Sequence, residues 1–251
     1  YTDKGRLYKG YRLLAADGSD IQIPTDSKHT DSYFPGTNGQ APYSLLHLNA
    51  VYDLLLHTYI DVDLCGRRDW NEQRALVNMV DRSFVEKALI IADRGYESYN
   101  LMAHIQEKGW KFLIRVKDIY SSGIASGLEL PDSDEFDLHC PIQLTRRKKA
   151  ETIPLFADRN HYKWIGTSTP FDYLPTGSHK HDPIAFYDLP FRIVRFKLSD
   201  STYETVITNL DEESFPPEEL KHLYGMRWGI ETSFRELKYT VGLLHFHAKK
   251  V

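Results

Sequence analysis

A run of five apolar residues, Ala88–Ala92, is the feature that most restricts the possible folds of this chain. An uninterrupted apolar run of this length is typical of a strand that is buried on both faces, as in sheets covered by helices. The residues after it predict a helix capped by Ser98 or Asn100, and then a further strand at 112–116. These residues therefore predict a buried strand, a helix and a second strand in this order.

Asp93 directly follows this buried strand, in the sequence Asp-Arg-Gly-Tyr. Open α/β sheets place functional groups at the carboxyl ends of their strands, so Asp93 is a candidate catalytic residue. Alternatively, its side chain caps the turn that leads into the next helix. The local sequence is compatible with both interpretations.

A second carboxylate lies in a strand-like context near the start of the chain. Residues 6–24 have the pattern of an extended segment, and Asp17 is followed there by Gly18. Because an unpaired buried charge is costly, Asp17 either lies in a turn before Gly18 or is kept in the strand to bind a cation. Gly18 would allow a ligand to approach the backbone closely.

Further elements are predicted around these two carboxylates. Residues 44–64 predict two strands that form a meander with the first strand. A helix is predicted to begin near Asn71, with Asp69 or Asn71 as its cap. Two more strands are predicted at 191–198 and 202–210, joined by a short polar turn.

Between residues 118 and 190 the chain is polar, with Gly, Ser and Pro clusters that separate strand-like pieces at 138–145 and 162–166. Such a stretch is too long for a plain loop in a compact domain, so it predicts an inserted, mostly β subdomain. Its Arg146–Lys149 run is the strongest local cluster of basic residues. This run is interpreted either as a solvated loop or as a phosphate-binding part of a DNA path.

The last part of the chain predicts a helix, opened by two prolines, with a distinctive polar edge. At about 100° per residue, four polar residues fall within a sector of roughly 60°. A carboxylate among them can hold a divalent cation, and the neighbouring cations can hold phosphate oxygens. The alternative is an amphipathic helix with ordinary surface ion pairs. Trp228 is interpreted as a core residue. The polar edge consists of Tyr224, Arg227, Glu231 and Lys238, and the apolar stripe beside it of Leu223, Ile230, Phe234, Leu237 and Val241.

The spacing Tyr-x2-Arg-x3-Glu-x6-Lys in this helix resembles the signature of DDE transposases from bacterial insertion sequences. Two aspartates upstream, Asp17 and Asp93, complete the similarity, and the Asp-Arg-Gly-Tyr sequence looks like the context of that family's second catalytic aspartate. The resemblance runs from about Tyr11 to the end of the chain, apart from residues 118–190.

The resemblance implies an RNase H-like, retroviral-integrase-like catalytic core: an α/β fold with a mixed β-sheet flanked by helices and interrupted by a β-rich insertion. Residues 1–117 and 191–251 would form the discontinuous core, and residues 118–190 the insertion. An N-terminal DNA-binding region and a C-terminal tail are expected to be absent from this chain.

The resemblance also implies that Asp17, Asp93 and Glu231 are the catalytic and metal-ligating residues. Carboxylate oxygens suit Mg²⁺, with Mn²⁺ as a substitute. Two ions about 4 Å apart would serve an in-line phosphoryl displacement in the DNA complex, without a separate general base.

By the same resemblance, Tyr224, Arg227 and Lys238 would bind DNA: Tyr224 and Arg227 would contact phosphates near the transposon end, and Lys238 would contact the terminal nucleotides. An arginine can grip a phosphate with two N–H groups, whereas a lysine acts as a point charge. Some relatives hold a flipped base on an aromatic ring of the insertion, and Tyr203 is the candidate for that role here.

Composition restricts the remaining function classes. The formal net charge is −4, so the overall charge does not by itself indicate nucleic-acid binding. No apolar run approaches the ~20 residues of a bilayer span, no signal peptide is visible, and two widely separated cysteines, Cys65 and Cys140, fit a reducing cytosol. No P-loop, dinucleotide-binding or serine-hydrolase motif is present. Two His-x-His pairs lack a third ligand at zinc-site spacing and are interpreted as surface or loop residues: His179 with His181, and His245 with His247.

The expected function is that of a transposase catalytic domain, which cuts double-stranded DNA at transposon ends and lets the released 3′-hydroxyl attack target DNA. The expected partners are the transposon ends, the target DNA and a second copy of the chain assembled on DNA. The expected location is the bacterial cytosol, at the nucleoid, without membrane association. The alternatives are a nuclease with the same core that joins nothing, and a catalytically inert DNA-binding relic.

Overall fold

The computed structural model describes residues 6–37, 39–66, 70–177 and 182–243. Within these ranges it contains ten β-strands and four α-helices, and strands and helices follow each other along the chain. The strands are β1 (Arg12–Ile23), β2 (Tyr33–Phe34), β3 (Tyr43–Asp53), β4 (Thr58–Cys65), β5 (Ala88–Ala92), β6 (Lys111–Arg115), β7 (Phe136–Thr145), β8 (Tyr162–Trp164), β9 (Tyr187–Ser199) and β10 (Thr202–Thr208). The helices are α1 (Glu72–Arg82), α2 (Tyr99–Glu107), α3 (Pro217–Met226) and α4 (Trp228–Arg235).

The chain divides into two compact units, the first of which contains residues up to 91 and residues from 225 onward. Its central pair is β1 and β3, which run antiparallel with Leu14 opposite Asp53 and Ile23 opposite Ser44. On its other side β3 pairs antiparallel with β4 and, over two residues, with β2. The strand β5 follows β1 in the strand order. The predicted meander of β1, β3 and β4 is therefore confirmed.

Two strands supply the centre of the hydrophobic core of this unit. In β1 the four consecutive residues Leu13 to Ala16 have no exposed surface, and beyond them Ile21 and Ile23 are buried in alternation with polar neighbours. All five residues of β5 are fully buried, which confirms the sequence prediction for this apolar run.

Side-chain caps define where two of the helices begin. The Asn71 side chain accepts a hydrogen bond from the Arg74 backbone N–H at 2.9 Å, so Asn71 is the N-cap of α1. The alternative cap, Asp69, lies outside the described residues. In α2 the N-cap is Ser98, whereas Asn100 lies within the helix.

The second unit, residues 92–224, contains a sheet in the order β6-β10-β9-β7-β8. Its neighbouring strands are antiparallel, except that β7 and β8 run parallel. The helix α2 contacts β6 and β9 of this sheet. The chain is thus an α/β protein with a mixed sheet and flanking helices, as the sequence predicts.

Residues 118–190 contribute two strands to the second unit. The strand-like pieces predicted at 138–145 and 162–166 are present as β7 and β8. Because β7 pairs with β9 from Phe136–Arg195 to Leu144–Tyr187, it joins the same sheet as the predicted late strands. The division into a core of residues 1–117 and 191–251 and an inserted subdomain stays a prediction.

The helix predicted at the C-terminal end is divided into three segments. The first, α3, ends at Met226, and α4 begins at Trp228 after Arg227, whose backbone is also helical. Residues Glu236–Thr240 then form a π-helical turn, in which the Val241 N–H donates to the Glu236 carbonyl at 3.0 Å. A π turn has more residues per turn than an α-helix, so it shifts the angular position of every later residue.

Two predictions for this segment are wrong. Trp228, predicted to lie in the core, is 61% exposed, because it lies on the side of α4 opposite the buried Ile230. Val241, predicted to extend the apolar stripe, is 74% exposed, since the π turn precedes it. The stripe is buried at Leu223, Ile230 and Phe234.

The structure also bears on membrane-spanning helices and on the two cysteines. None of the helices in the described ranges combines the length and the apolar character that a membrane span requires. Both cysteines, Cys65 and Cys140, are buried, and burial raises the pKa of the Cys140 thiol to about 12.

Candidate active site

Asp17 lies within the paired part of β1, where its backbone is opposite Ala50 of β3. The strand continues without interruption to Ile23, so the alternative that Asp17 belongs to a turn is wrong. Its side chain is 18% exposed, and one of its oxygens accepts a hydrogen bond from the Gly18 N–H at 2.9 Å. A carboxylate is therefore held in the middle of a core strand, where it needs a cationic partner.

Gly18 is required by its side-chain neighbours rather than by a ligand. A Cβ at this position would lie 2.5 Å from His47 Nε2 and 2.7 Å from Glu72 Oε1. Both distances are shorter than a nonbonded contact allows. The expectation that Gly18 leaves room for a ligand is therefore wrong, because His47 and Glu72 fill this space.

Glu231 is positioned by the packing of α4 on the β3–β4 hairpin. Gly229 lets the helix approach closely, since a Cβ there would lie 2.8 Å from Leu54 Cδ2. The Ser233 and Tyr59 hydroxyls are hydrogen-bonded, and the Phe234 ring stacks on the Tyr59 ring at 6.1 Å. These contacts fix the rotation of α4 and thereby place Glu231, in its first turn, beside β1.

Arg227 connects the two carboxylates of the first unit. Its Nη2 donates to Glu231 Oε1 at 2.6 Å, and its Nη1 lies 3.5 Å from Asp17 Oδ2. The Arg227 side chain is only 8% exposed and that of Asp17 18%, so water screens this pair weakly, whereas Glu231 at 31% exposure is partly open to water. The fold thus brings together two predicted carboxylates that are 214 positions apart in the sequence (231 − 17).

Lys238 also reaches β1, from within the π-helical turn. Its Nζ lies 2.6 Å from the Ser19 hydroxyl. Ser19 and Asp17 are two positions apart and therefore point to the same face of the strand. Two cations of the helix signature, Arg227 and Lys238, consequently lie along one face of β1.

Asp93 belongs to the second unit and directly follows β5, as the sequence predicts. Its Oδ1 accepts a hydrogen bond from the Gly95 N–H at 2.8 Å and caps the short 3₁₀-helix Arg94–Tyr96. The capping interpretation of Asp93 is therefore correct. A metal-binding role for the same carboxylate stays a prediction.

Two further predicted residues lie in the second unit. Tyr224 is buried in α3, with 7% of its surface exposed. The ring of Tyr203, the candidate for a flipped base, is covered by the Arg195 guanidinium at 4.7 Å, and its hydroxyl lies 3.5 Å from Asp134 Oδ2. A base that stacked on this face of the ring would have to displace Arg195.

The basic run Arg146–Lys149 contains one residue with a structural role. Arg146 donates hydrogen bonds to four backbone carbonyls, which excludes a purely solvated side chain. Arg147 lies 3.6 Å from Asp182, and the Lys148 ammonium lies 5.3 Å from the Trp164 ring. The carbonyls that Arg146 contacts are those of Gly166, Thr169, Phe171 and Leu174.

Sequence reasoning missed a second charged cluster on β1, on the face opposite Asp17. His47 Nδ1 lies 2.7 Å from Asp20 Oδ1 and its Nε2 lies 3.0 Å from Glu72 Oε1. The buried ring also stacks on Trp70 at 4.7 Å. Nothing in the local pattern relates these residues, because they come from β1, β3 and the first turn of α1.

The resemblance assigns Arg227 to DNA and does not indicate its contacts with the two carboxylates. The signal was available for one of them, since Arg227 and Glu231 are four positions apart and such residues are neighbours on a helix. The contact with Asp17 depends on the docking of α4 onto β1.

The residues around Arg227 have the chemistry of a divalent-cation site. Asp17 and Glu231 offer hard oxygen donors, and in this structure a guanidinium supplies the positive charge that they need. Within the described ranges no group of three or more His, Cys, Asp and Glu side chains is arranged to hold a metal ion. Both His-x-His pairs lie outside those ranges.

Comparisons with known proteins give a family and a structural likeness. No curated protein matches the sequence. Among solved structures, the fold is similar to a piggyBac transposase in a cryo-EM synaptic complex with hairpin DNA, with a TM-score of 0.47 and 11% sequence identity over 90% of this chain. The chain spans 40% of the length of that transposase. The sequence profile described as the transposase DDE domain matches residues 8–251. This chain therefore belongs to the transposase DDE domain family.

Proposed function

We propose that this chain is the catalytic domain of a transposase, which cuts DNA at transposon ends and joins the released 3′-hydroxyl to target DNA. The family match over residues 8–251 carries this proposal. The meeting of Asp17 and Glu231 at Arg227 supports it, because two carboxylates from distant parts of the chain converge on a guanidinium that has the chemistry to bind phosphate.

In this proposal Asp17, Asp93 and Glu231 hold Mg²⁺, with Mn²⁺ as a substitute and two ions in the DNA complex. Bound metal would supply activation of the attacking oxygen and stabilisation of the leaving oxygen. The carboxylates are supported by rigid elements, since Asp17 lies in a paired strand and Glu231 in a docked helix. Such support keeps catalytic side chains in place without a cost in ordering at each turnover.

The remaining signature residues are proposed to hold the DNA. Arg227 and Lys238 would bind phosphates near the transposon end, and both already lie along the face of β1 that carries Asp17. Tyr224 would contribute a contact at the same end. Double-stranded DNA would be the substrate, a homodimer would assemble on it, and the protein would act at the nucleoid in the bacterial cytosol.

The test uses duplexes that copy the ends of the genomic element encoding the chain. End cleavage is measured with wild type, Asp17→Asn, Asp93→Asn and Glu231→Gln in Mg²⁺ and in Mn²⁺. Each substitution should lower the cleavage rate by about 10³-fold or more, because each removes a proposed metal ligand. Glu236→Gln, which neutralises an exposed carboxylate just after α4, should retain the wild-type rate.

The outcomes separate the alternatives. Strand-transfer products from pre-cleaved ends would exclude a simple nuclease, whereas cleavage without joining would favour it. Failure of wild type to cleave, with intact binding of the ends, would favour an inert DNA-binding relic. Full activity of any of the three carboxylate variants would contradict the proposed catalytic role of that residue.

A further inference from the structure

Arg227 lies between the two carboxylates that would have to ligate a metal ion. Its guanidinium contacts Glu231 Oε1 at 2.6 Å and Asp17 Oδ2 at 3.5 Å from two different nitrogens. At 8% exposure, the side chain is enclosed by protein rather than mobile in water. The positive charge that Asp17 and Glu231 require is therefore supplied internally when no metal is present.

A metal ion must compete with this arrangement. To bind Glu231 Oε1, a cation has to break a short charge-assisted hydrogen bond. If the guanidinium stayed nearby, the two cations would also repel each other at close range and in a partly buried site. Arg227 therefore opposes metal binding as long as it remains on the carboxylates.

A phosphate group offers Arg227 an alternative partner. The planar guanidinium fits phosphate oxygens as well as carboxylate oxygens, and it can bind them with two parallel hydrogen bonds. Release of Arg227 to a phosphate would leave the oxygens of Asp17 and Glu231 available to a metal ion. Lys238, held by the Ser19 hydroxyl on the same face of β1, adds a second phosphate-binding group beside them.

We propose that Arg227 is an internal counter-ion that keeps metal off the Asp17–Glu231 pair until a DNA phosphate draws its guanidinium away. Metal loading and DNA binding are thereby coupled at one side chain, and each favours the other. This inference rests on the proposed function and concerns the regulation of the same site. Its physiological consequence is that the chain carries little metal until a DNA end is in place.

The first experiment measures Mn²⁺ binding to the DNA-free chain by calorimetry and by the paramagnetic resonance signal of unbound Mn²⁺. Arg227→Gln should bind Mn²⁺ about tenfold more tightly than wild type, the rough equivalent of one charge-assisted hydrogen bond. The matched control is Lys28→Gln, which removes an exposed positive charge from the same unit and should change the affinity by less than about twofold.

A second variant and a second measurement guard against a folding defect. Arg227→Lys keeps a positive charge but lacks the two guanidinium nitrogens that contact both carboxylates. It should therefore tighten Mn²⁺ binding less than Arg227→Gln does. In wild type, a duplex of arbitrary sequence should tighten Mn²⁺ binding about tenfold, whereas in Arg227→Gln the duplex should add much less.

Two results would overturn the inference. One is Mn²⁺ binding by folded Arg227→Gln that is no tighter than in wild type, and the other is an equal effect of the duplex on both proteins. Asp17→Asn and Glu231→Gln separate this failure from that of the proposed function. If they weaken Mn²⁺ binding while Arg227→Gln has no effect, only the counter-ion role fails. If neither alters Mn²⁺ binding, the proposed metal site fails as well.

Discussion

His47 shows how strongly a single buried side chain can be constrained beside the candidate site. Both of its ring nitrogens face carboxylates, Asp20 on β1 and Glu72 at the start of α1, and its side chain is 6% exposed. The cluster lies on the face of β1 opposite Asp17 and fills the space beside Gly18. It therefore ties β1 to α1 directly behind the strand segment that carries the candidate catalytic carboxylate.

The charge of His47 makes this connection dependent on pH. Burial acts to lower the pKa of His47, but hydrogen bonds and charges of Glu72 and Asp20 outweigh burial, and the pKa lies above its ordinary value. A protonated ring donates to both carboxylates, whereas a neutral ring donates to only one. Since the pKa is raised in the folded state, the stabilisation is complete below the pKa of an unfolded histidine and is lost as pH rises through the folded-state pKa.

Urea unfolding of wild type and His47→Gln over a pH series tests this prediction. At mildly acidic pH, where the carboxylates are still ionised, wild type should be more stable than His47→Gln by about 2 kcal/mol. This difference should shrink as pH rises. The control is His222→Gln, at an exposed histidine of α3, which should show no such dependence. A difference in stability that is constant across the pH series would contradict the prediction.

Among the elements, α4 determines where Glu231 and Arg227 lie. It is an eight-residue helix and would be marginal by itself, so its position comes from packing on the β3–β4 hairpin. Gly229 faces Leu54 in that contact, whereas a Cβ at Gly225, one residue before the end of α3, would have no neighbouring atom within 4 Å. A side chain would thus be crowded at Gly229 but not at Gly225, four positions earlier.

The pair Gly225→Ala and Gly229→Ala measures this difference. Gly225→Ala should raise the free energy of unfolding by about 0.5–1 kcal/mol, because alanine favours the helix and meets no obstacle. Gly229→Ala should lower it by about 1–3 kcal/mol, because its Cβ would overlap the buried Leu54 side chain. Urea unfolding of both variants checks the prediction, and an equal gain in stability for the two would contradict it.

For the whole molecule, the charge balance limits how DNA can be attracted. A formal net charge of −4 gives no long-range attraction to phosphates, so binding must depend on local cations. In the proposed function Lys238 is one of these cations, and Ser19 positions it on β1. Each phosphate contact that is lost reduces the dependence of DNA affinity on salt.

Anisotropy titrations of a labelled duplex at several KCl concentrations test the role of Lys238. Lys238→Ala should weaken binding at low salt and reduce the slope of log K against log [KCl] by about 1. Lys28→Ala, which removes an exposed lysine of the same unit, serves as the control and should leave the slope unchanged. Equal slopes for wild type and Lys238→Ala would exclude a phosphate contact of this residue.

The sequence by itself determined the features that depend on neighbouring residues. The buried strand Ala88–Ala92 follows from one apolar run, and the caps Asn71 and Ser98 follow from side chains that bond to backbone groups within the next turn. The family follows from residue types at set spacings, as the profile match over residues 8–251 confirms. All of these are local patterns, and local patterns can be recognised along a chain.

The tertiary structure decided which distant residues meet. Arg227 reaches Asp17 only because strand register and the docking of α4 bring β1 and the helix together, and a shift of one residue in β1 would turn Asp17 to the other face. Gly18 is explained by His47 and Glu72, and the exposure of Val241 by a π turn. These outcomes depend on contacts between residues that are far apart in sequence, or on small changes in helix geometry, and neither is encoded in a periodic pattern.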